Sequence, residues 1–198
     1  DNFRLELPNQ YVFTGIAEQS AFLVAAGLAL SGKKPFVYAI APFITSRTHE
    51  FIKIEMGLMG LPIRVVGVGA GYSYDEAGPT HHTLEDISLL RTVPKTEILG
   101  PSDSIMAAAF ADRMIEQQTP AYVRLDRKLQ DVKYSDSERF EEGFKELNRG
   151  SDIAIVTTGN MVDRALAFNS QEFNDNLGVI DIYRLKPLNS DLNKTLCR

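Results

Sequence analysis

Two side chains in this sequence are suited to acid–base chemistry because of what surrounds them. Glu18 follows the strand-like run 11–13 and opens a helix-like run rich in alanine and glycine. Its apolar neighbours predict a buried carboxyl group, and burial raises the pKa of a carboxyl group so that it can donate a proton at neutral pH. His81 ends the motif Gly-Pro-Thr-His, which is typical of a rigid turn, and a histidine there can polarise a carbonyl group or transfer protons. Alternatively, Glu18 is a first-turn acid that stabilises the start of the helix, and His81 is a histidine of a surface loop.

An aromatic ring and two arginines could bind ligands near these groups. Phe43 stands four residues before Arg47, and an aromatic side chain beside a site can stack on a heteroaromatic ring. Arg127 follows the strand-like run 120–125, and an arginine at a strand end can bind a phosphate group with two hydrogen bonds. Alternatively, Phe43 packs in the core and Arg127 is a solvated surface arginine. Arg124 is the alternative phosphate ligand.

The elements that position these residues follow an α/β pattern. Apolar strand-like runs alternate with helix-like runs, and the strand-like runs are continuous, as in strands covered by helices on both faces. Predicted strands lie near 11–15, 35–40, 62–68, 96–99 and 121–125, and predicted helices lie near 18–31, 46–59, 85–92 and 102–117. The predicted fold class is therefore α/β with a doubly wound, mostly parallel sheet. Ligands bind such sheets at the carboxyl ends of the strands.

The pattern breaks and then restarts in the last part of the chain. Residues 128–150 are mostly polar and charged, and the strand–helix–strand pattern then resumes with predicted strands near 153–157 and 177–182 and a helix near 161–172. We therefore predict a first domain over 1–127, a linker over 128–150, and the beginning of a second, incomplete α/β domain over 151–198.

Composition narrows the classes of protein that fit. The chain has 198 residues, 44% hydrophobic and 24% charged, which is ordinary for a globular protein. Its net charge of −5 argues against nucleic acid or an anionic membrane as a partner. The one cysteine excludes an internal disulfide and predicts a reducing, cytoplasmic location. Apolar runs of the roughly 20 residues that span a membrane are absent from the sequence.

Two other motifs do not predict sites of their own. The run 67–71 is rich in glycine but lacks the following helix that a dinucleotide-binding turn requires. His81, His82 and Glu85 are types that ligate metals, but adjacent histidines point in different directions and no other cluster completes a site. We therefore predict no metal site on this chain and a structural role for His82.

The motifs Gly-Ile-Ala-Glu-Gln, which contains Glu18, and Gly-Pro-Thr-His resemble the pyrimidine-binding domain of transketolase-like thiamine diphosphate enzymes. The resemblance implies that Glu18 contacts a pyrimidine nitrogen of thiamine diphosphate and that Phe43 stacks on the pyrimidine. Ile40 stands where many relatives have another phenylalanine beside the cofactor. The resemblance also implies that His81 lines the substrate channel and that Arg127 binds the substrate phosphate.

The same resemblance implies transfer of a two-carbon ketol unit from a ketose phosphate to an aldehyde. The Gly-Asp-Gly motif that holds the diphosphate through Mg²⁺ is absent from the sequence. We therefore expect a diphosphate-binding half on another chain or segment, in a homodimer or heterotetramer, with residues 151–198 beginning the transketolase C-terminal domain.

Two departures from the family pattern leave the function open. Gly69 and Ala77 replace a histidine and an aspartate that contact sugar hydroxyl groups in transketolases, which puts the usual sugars in doubt. The alternatives are an enzyme like 1-deoxyxylulose-5-phosphate synthase or the beta subunit of 2-oxo acid dehydrogenases, a non-catalytic assembly or regulatory domain, and a flavodoxin-like binding module.

Overall fold

The computed structural model describes residues 2–197. Its strands are β1 Phe36–Ile40, β2 Arg64–Val68, β3 Glu97–Leu99, β4 Ala121–Leu125, β5 Phe144–Asn148, β6 Ala154–Thr157, β7 Gly178–Ile182 and β8 Arg184–Lys186. Its α-helices are α1 Asn2–Glu6, α2 Glu18–Leu30, α3 Ala41–Thr45, α4 His49–Phe51, α5 Asp86–Arg91, α6 Ser104–Glu116, α7 Met161–Phe173 and α8 Asp191–Leu196. A π-helix, Ile52–Leu58, continues α4, and short 3-10 helices span Pro8–Gln10, Asp75–Ala77 and Pro79–His81.

The larger sheet has five strands in the order β1-β2-β4-β3-β8. Strands β1, β2, β4 and β3 are parallel to their neighbours, and β8 joins the edge antiparallel to β3. The prediction of an α/β class with a mostly parallel sheet is therefore confirmed. Because the parallel strands all end at one edge, the loops that follow β1, β2 and β4 meet there.

Helix packing against the larger sheet follows the spacing of small and aromatic residues. In α2 the buried positions are Phe22, Ala25, Ala26 and Ala29, which form one face of a helix. Alanine favours the helical state and lets the helix approach the sheet closely. In α6 the side chain of Asp103 accepts a hydrogen bond from the Met106 amide at 2.9 Å, which explains why this helix begins where it does.

Two predicted elements differ from the structure. The predicted strand at 11–15 is an irregular segment in which Val12 is 57% exposed and Phe13 76% exposed. An apolar run becomes a strand only beside another strand, and β1 has β2 alone as its neighbour among the described residues. The predicted helix at 46–59 is preceded by α3, which sequence analysis missed, because Pro42 occupies the first turn of that helix, where proline is tolerated.

The last third of the structure forms a second sheet of three strands, in the order β5-β7-β6. β6 and β7 are parallel and correspond to predicted strands, whereas β5 lies within the predicted linker and pairs antiparallel with β7. An apolar cluster joins this unit to the larger sheet, since Phe140 and Tyr183 pack with Phe110 of α6. Over residues 2–197, the helices are too short or too polar to cross a lipid bilayer.

Candidate functional site

The residues predicted as a site lie at the carboxyl edge of the larger sheet. Ile40 is the last residue of β1, and Phe43 lies in α3, which follows directly. His81 belongs to the loop after β2, and Arg127 comes two residues after β4 ends. Glu18 is the first residue of α2, which packs on β1. Ile40 is half-buried and pairs with Val68 in the sheet.

Glu18 is largely buried and forms an ion pair with an arginine. Its Oε2 accepts a hydrogen bond from Nη1 of Arg47 at 2.7 Å, and the exposed side-chain fractions are 11% for Glu18 and 46% for Arg47. Phe22 is fully buried, but Ile16 is 95% exposed. Glu18 is therefore mostly buried, although Ile16 does not contribute to that burial. Within residues 2–197 the other carboxylate oxygen, Oε1, receives no hydrogen bond.

Phe43 connects the Glu18–Arg47 pair to the histidine. The guanidinium carbon of Arg47 lies 4.5 Å from the centre of the Phe43 ring, which is a cation–π contact. Phe43 also meets the His81 ring, with 5.0 Å between ring centres and an interplanar angle of 74°. The Phe43 ring is half-buried, so part of it faces solvent at the edge of the sheet.

The loop after β2 separates the two adjacent histidines. His81 lies next to Phe43 and Tyr74, and its Nδ1 is within hydrogen-bonding distance, 3.1 Å, of the Thr80 hydroxyl oxygen. His82 turns to Tyr72, with 4.9 Å between ring centres. The two rings therefore point to different neighbours, and only His81 joins the group that contains Phe43.

The two candidate phosphate-binding arginines differ in how they are bound. Arg124 donates from Nε to Oδ2 of the buried Asp86 at 2.7 Å, and the Tyr122 hydroxyl donates to the same oxygen at 2.7 Å. Burial beside this carboxylate raises the pKa of the Tyr122 hydroxyl well above its usual value. Arg127 is exposed, and its guanidinium lies 5.0 Å from the centre of the Tyr74 ring. Arg127 is therefore the arginine that can reach a ligand.

Tyr74 is the residue of this group that the sequence patterns do not single out. It contacts both His81 and Arg127, so the contacts run without interruption from Glu18 through Arg47, Phe43, His81 and Tyr74 to Arg127. The available signal for an aromatic residue at the site was its position in the loop after a glycine-rich strand end. Tyr72 and Tyr74 both have that position, so the sequence does not distinguish between them.

The rim of the site is fixed by a second acid. Glu85 accepts a hydrogen bond from the Ser46 hydroxyl at 2.7 Å, and this bond lowers the pKa of the Glu85 carboxyl group. Ser46 adjoins Arg47, so the bond ties the end of α3 to the start of α5. Among the described residues, 2–197, no group of three or more histidine, cysteine or acidic side chains could hold a metal ion.

The two ends of the group suit different kinds of ligand. A half-exposed aromatic ring beside a carboxylate with a free oxygen can stack on a flat heterocycle and hydrogen-bond to its ring nitrogen. An exposed arginine at the far end of the group, beyond His81, can bind an anion. The arrangement suits a flat heterocycle at the Glu18 end and an anion at the Arg127 end.

Comparison with known proteins shows which proteins this chain is similar to. Residues 2–132 match the family model described as transketolase, pyrimidine binding domain. The chain is 35% identical to an apulose-4-phosphate transketolase subunit from Phocaeicola vulgatus, over 94% of this chain and 61% of that protein. It is 30% identical to the 6-deoxy-6-sulfo-D-fructose transketolase subunit SqwH of a Clostridium species, over 96% of this chain and 60% of that protein.

A solved structure shows the same fold over nearly the whole chain. A split gene transketolase, in the form of an inactive beta4 tetramer, superimposes with a TM-score of 0.85 at 30% identity and covers 96% of this chain and 63% of that one. The chain thus spans about six tenths of the length of the relatives that it matches.

Proposed function

Because this chain belongs to the transketolase pyrimidine-binding domain family, we propose that it contributes the pyrimidine-binding half of a thiamine diphosphate-dependent transketolase. The reaction transfers a two-carbon ketol unit from a ketose phosphate to an aldehyde. The observation that carries the proposal is that Glu18, with a free Oε1, and the Phe43 ring both contact Arg47 at the carboxyl edge of the sheet. The names of both curated relatives describe transketolase subunits.

In this proposal the residues of the chain have separate tasks. Bound thiamine diphosphate supplies a carbon nucleophile and an electron sink for breaking a carbon–carbon bond. Glu18 hydrogen-bonds a pyrimidine ring nitrogen and shares a proton with it at its carboxyl group, while Phe43 stacks on the ring and Ile40 lines the pocket beside it. His81 moves a proton to or from the substrate oxygens. Arg127 binds the phosphate and so orients the substrate.

A second chain or segment holds Mg²⁺ and the diphosphate in this proposal. The sequence lacks the Gly-Asp-Gly motif that this task uses in the family. The subunit naming of the relatives supports a partner subunit. We further propose that residues 151–198 begin the transketolase C-terminal domain, and that the complete site forms between subunits of a homodimer or heterotetramer.

An anionic sugar is supported by the names of the two relatives. One relative is named for a sugar phosphate and the other for a sugar carrying a sulfo group, so both names describe an anion on the sugar. The exposed Arg127 is suited to either anion.

The test measures cleavage of a ketose phosphate donor by this chain mixed with a diphosphate-binding chain, Mg²⁺ and thiamine diphosphate. We expect turnover only when both chains are present. Turnover by this chain alone would contradict the split arrangement. A folded, associated pair that neither binds the cofactor nor cleaves the donor would instead support a non-catalytic assembly role.

A further inference from the structure

Tyr74 occupies the space beside Gly69, one of the two positions where the sequence departs from the transketolase pattern. Gly69 is the first residue after β2 and has a φ of +92°, a conformation that favours glycine. A Cβ atom added at Gly69 would overlap the Tyr74 ring. The ring therefore takes the volume that any side chain at position 69 would need.

The same ring lies between two candidate substrate-binding groups. The centre of the Tyr74 ring is 6.2 Å from that of His81 and 5.0 Å from the guanidinium carbon of Arg127. An arginine that rests on an aromatic face keeps the N–H groups at its edge free for an anion.

Hydrogen bonds hold the Tyr74 loop against the end of β4. The Ser73 hydroxyl donates to Oδ1 of Asp126 at 2.7 Å, and the amides of Gly69 and Ala70 donate to the Leu125 carbonyl oxygen at 2.9 and 3.2 Å. Ser73 and Asp126 are the direct neighbours of Tyr74 and Arg127. The backbone segments that carry Tyr74 and Arg127 are thus held next to each other.

We propose that Tyr74 is the positioning residue that sets the preference for phosphorylated substrates, an inference that rests on the proposed function. Its ring supports the Arg127 guanidinium with the N–H edge free for the phosphate. The ring also closes the space beside His81, so that a substrate passes an aromatic face there rather than a hydrogen-bonding side chain. Phosphate recognition then depends on the ring and not on the hydroxyl group of Tyr74.

The first test uses inorganic phosphate as the probe and needs neither cofactor nor partner. Phosphate is titrated into ¹⁵N-labelled chain while the Nε–Hε NMR signal of Arg127 is followed. We expect phosphate to shift this signal, Tyr74→Ala to weaken the apparent affinity about two- to fivefold, and Tyr74→Phe to keep it. The proposal would be overturned if phosphate did not shift the Arg127 signal. It would also be overturned if Tyr74→Ala and the unchanged chain bound phosphate with equal affinity.

The second test measures KM and kcat in the assembled enzyme with glycolaldehyde phosphate and with glycolaldehyde as acceptors. We expect Tyr74→Ala to raise KM about two- to fivefold for the phosphorylated aldehyde alone, and Tyr74→Phe to restore it. Tyr72→Ala is the matched control, since Tyr72 packs on His82 instead. Equal changes for both aldehydes would overturn the inference. Absence of turnover by the unchanged enzyme would count against the proposed function, while the NMR titration still decides the role of Tyr74.

Discussion

Two carboxylates of this chain lie in contrasting surroundings. Glu18 lies at the open edge of the larger sheet, and its partner is the charged, half-exposed Arg47. Asp181 of β7 is fully buried where the second sheet meets the first, and its partners are the hydroxyl groups of Ser102 at 2.5 Å and Tyr134 at 2.9 Å. An ion pair with one half-exposed member contributes modestly to stability and can be exchanged for a ligand, whereas a fully buried acid with neutral partners is part of the packing.

Burial carries a cost for Asp181 because its hydrogen-bond partners are neutral, whereas the mostly buried Glu18 is paired with a charged group. Burial raises the pKa of Asp181 to about 6, although the bonds from Ser102 and Tyr134 and the nearby Lys133 act to lower it. Lys133 is itself paired with Asp163 at 2.5 Å, and Asp103 accepts hydrogen bonds from the Lys133 and Tyr134 amides. The junction is thus a polar network inside the protein, while the open edge is free to bind.

The largest expected effect is on catalysis and comes from a change at Glu18, at the edge of the larger sheet, that leaves the Asp181 network intact. Glu18→Gln keeps the shape of the side chain but removes its acid–base capacity, so we expect kcat of the assembled enzyme to fall about 10²- to 10⁴-fold. The free energy of unfolding changes by less than about 1 kcal/mol, because the pair with Arg47 is partly exposed. Steady-state kinetics and urea unfolding measure the two quantities.

Glu76→Gln is the matched control for this prediction. Glu76 is an exposed acid in the loop that carries Tyr74 and His81. It should leave both kcat and stability nearly unchanged. A Glu18→Gln variant that retained full kcat would contradict the acid–base role, and one that unfolded would place Glu18 among the structural acids.

The buried Asp181 should make the free energy of unfolding depend on pH. The folded pKa of Asp181, about 6, exceeds its ordinary value of 3.8, so the folded protein holds the proton more tightly between these values. The contribution of Asp181 to the free energy of unfolding is therefore fully present below about pH 4. It falls by about 3 kcal/mol as the pH rises to about 7. Asparagine does not titrate, so the free energy of unfolding of Asp181→Asn should not show this decrease.

Urea unfolding at a series of pH values checks the prediction. The free energy of unfolding of the unchanged chain, minus that of Asp181→Asn, should decrease from about pH 4 to about pH 7. Asp112→Asn, which removes an exposed acid of α6, should give a profile parallel to that of the unchanged chain. Parallel profiles for Asp181→Asn as well would show that Asp181 keeps an ordinary pKa.

Sequence patterns predicted the parallel strands better than the two antiparallel edge strands, β5 and β8. Strands β1, β2 and β4 are continuous apolar runs, and such runs are read easily because both faces of the strand are covered. β5 and β8 are short and partly exposed, with charged residues along them, so no local pattern separates them from a loop. They are strands because a neighbouring strand offers hydrogen bonds, which is information about the fold and not about the segment.

A smaller effect is expected for the hydroxyl partner of the buried acid. Tyr134→Phe removes one of the two hydrogen bonds to Asp181, and we expect a loss of about 2 kcal/mol near neutral pH, since bonds to charged groups are the stronger ones. The bond favours the charged form, so its removal should also move the pKa of Asp181 further upward. The pH at which stability stops falling then rises above that of the unchanged chain.

Tyr183→Phe separates this effect from the loss of any buried hydroxyl. The Tyr183 hydroxyl donates to the Phe144 carbonyl oxygen at 3.1 Å and not to Asp181. Its removal should cost about 1 kcal/mol and leave the pH profile in place. The same shift of the profile in both variants would mean that Tyr134 has no particular role at Asp181.

At the site, sequence predicted positions better than contacts. The carboxyl-edge rule brings Phe43, His81 and Arg127 together, because each follows a different parallel strand. The contact between Arg47 and Glu18 joins residues 29 positions apart, and the placement of Tyr74 depends on the backbone conformation of Gly69. Neither feature has a period or a spacing that a sequence pattern could reveal.

The smallest expected effect tests whether Arg47 is an exchangeable partner. Arg47→Met removes the ion pair with Glu18 while keeping an apolar side chain over Phe43, and we expect a loss of about 0.5 kcal/mol in the free energy of unfolding. The loss should shrink as salt is raised from about 0.05 M to about 0.5 M, because screening weakens exposed pairs. Arg139→Met, in a pair with Glu141 at 3.6 Å that is largely exposed, should show almost no loss at either salt concentration. A salt-independent loss of about 3 kcal/mol for Arg47→Met would mean that the Glu18 pair is as structural as the Asp181 network, and that the edge of the sheet is closed rather than open to a ligand.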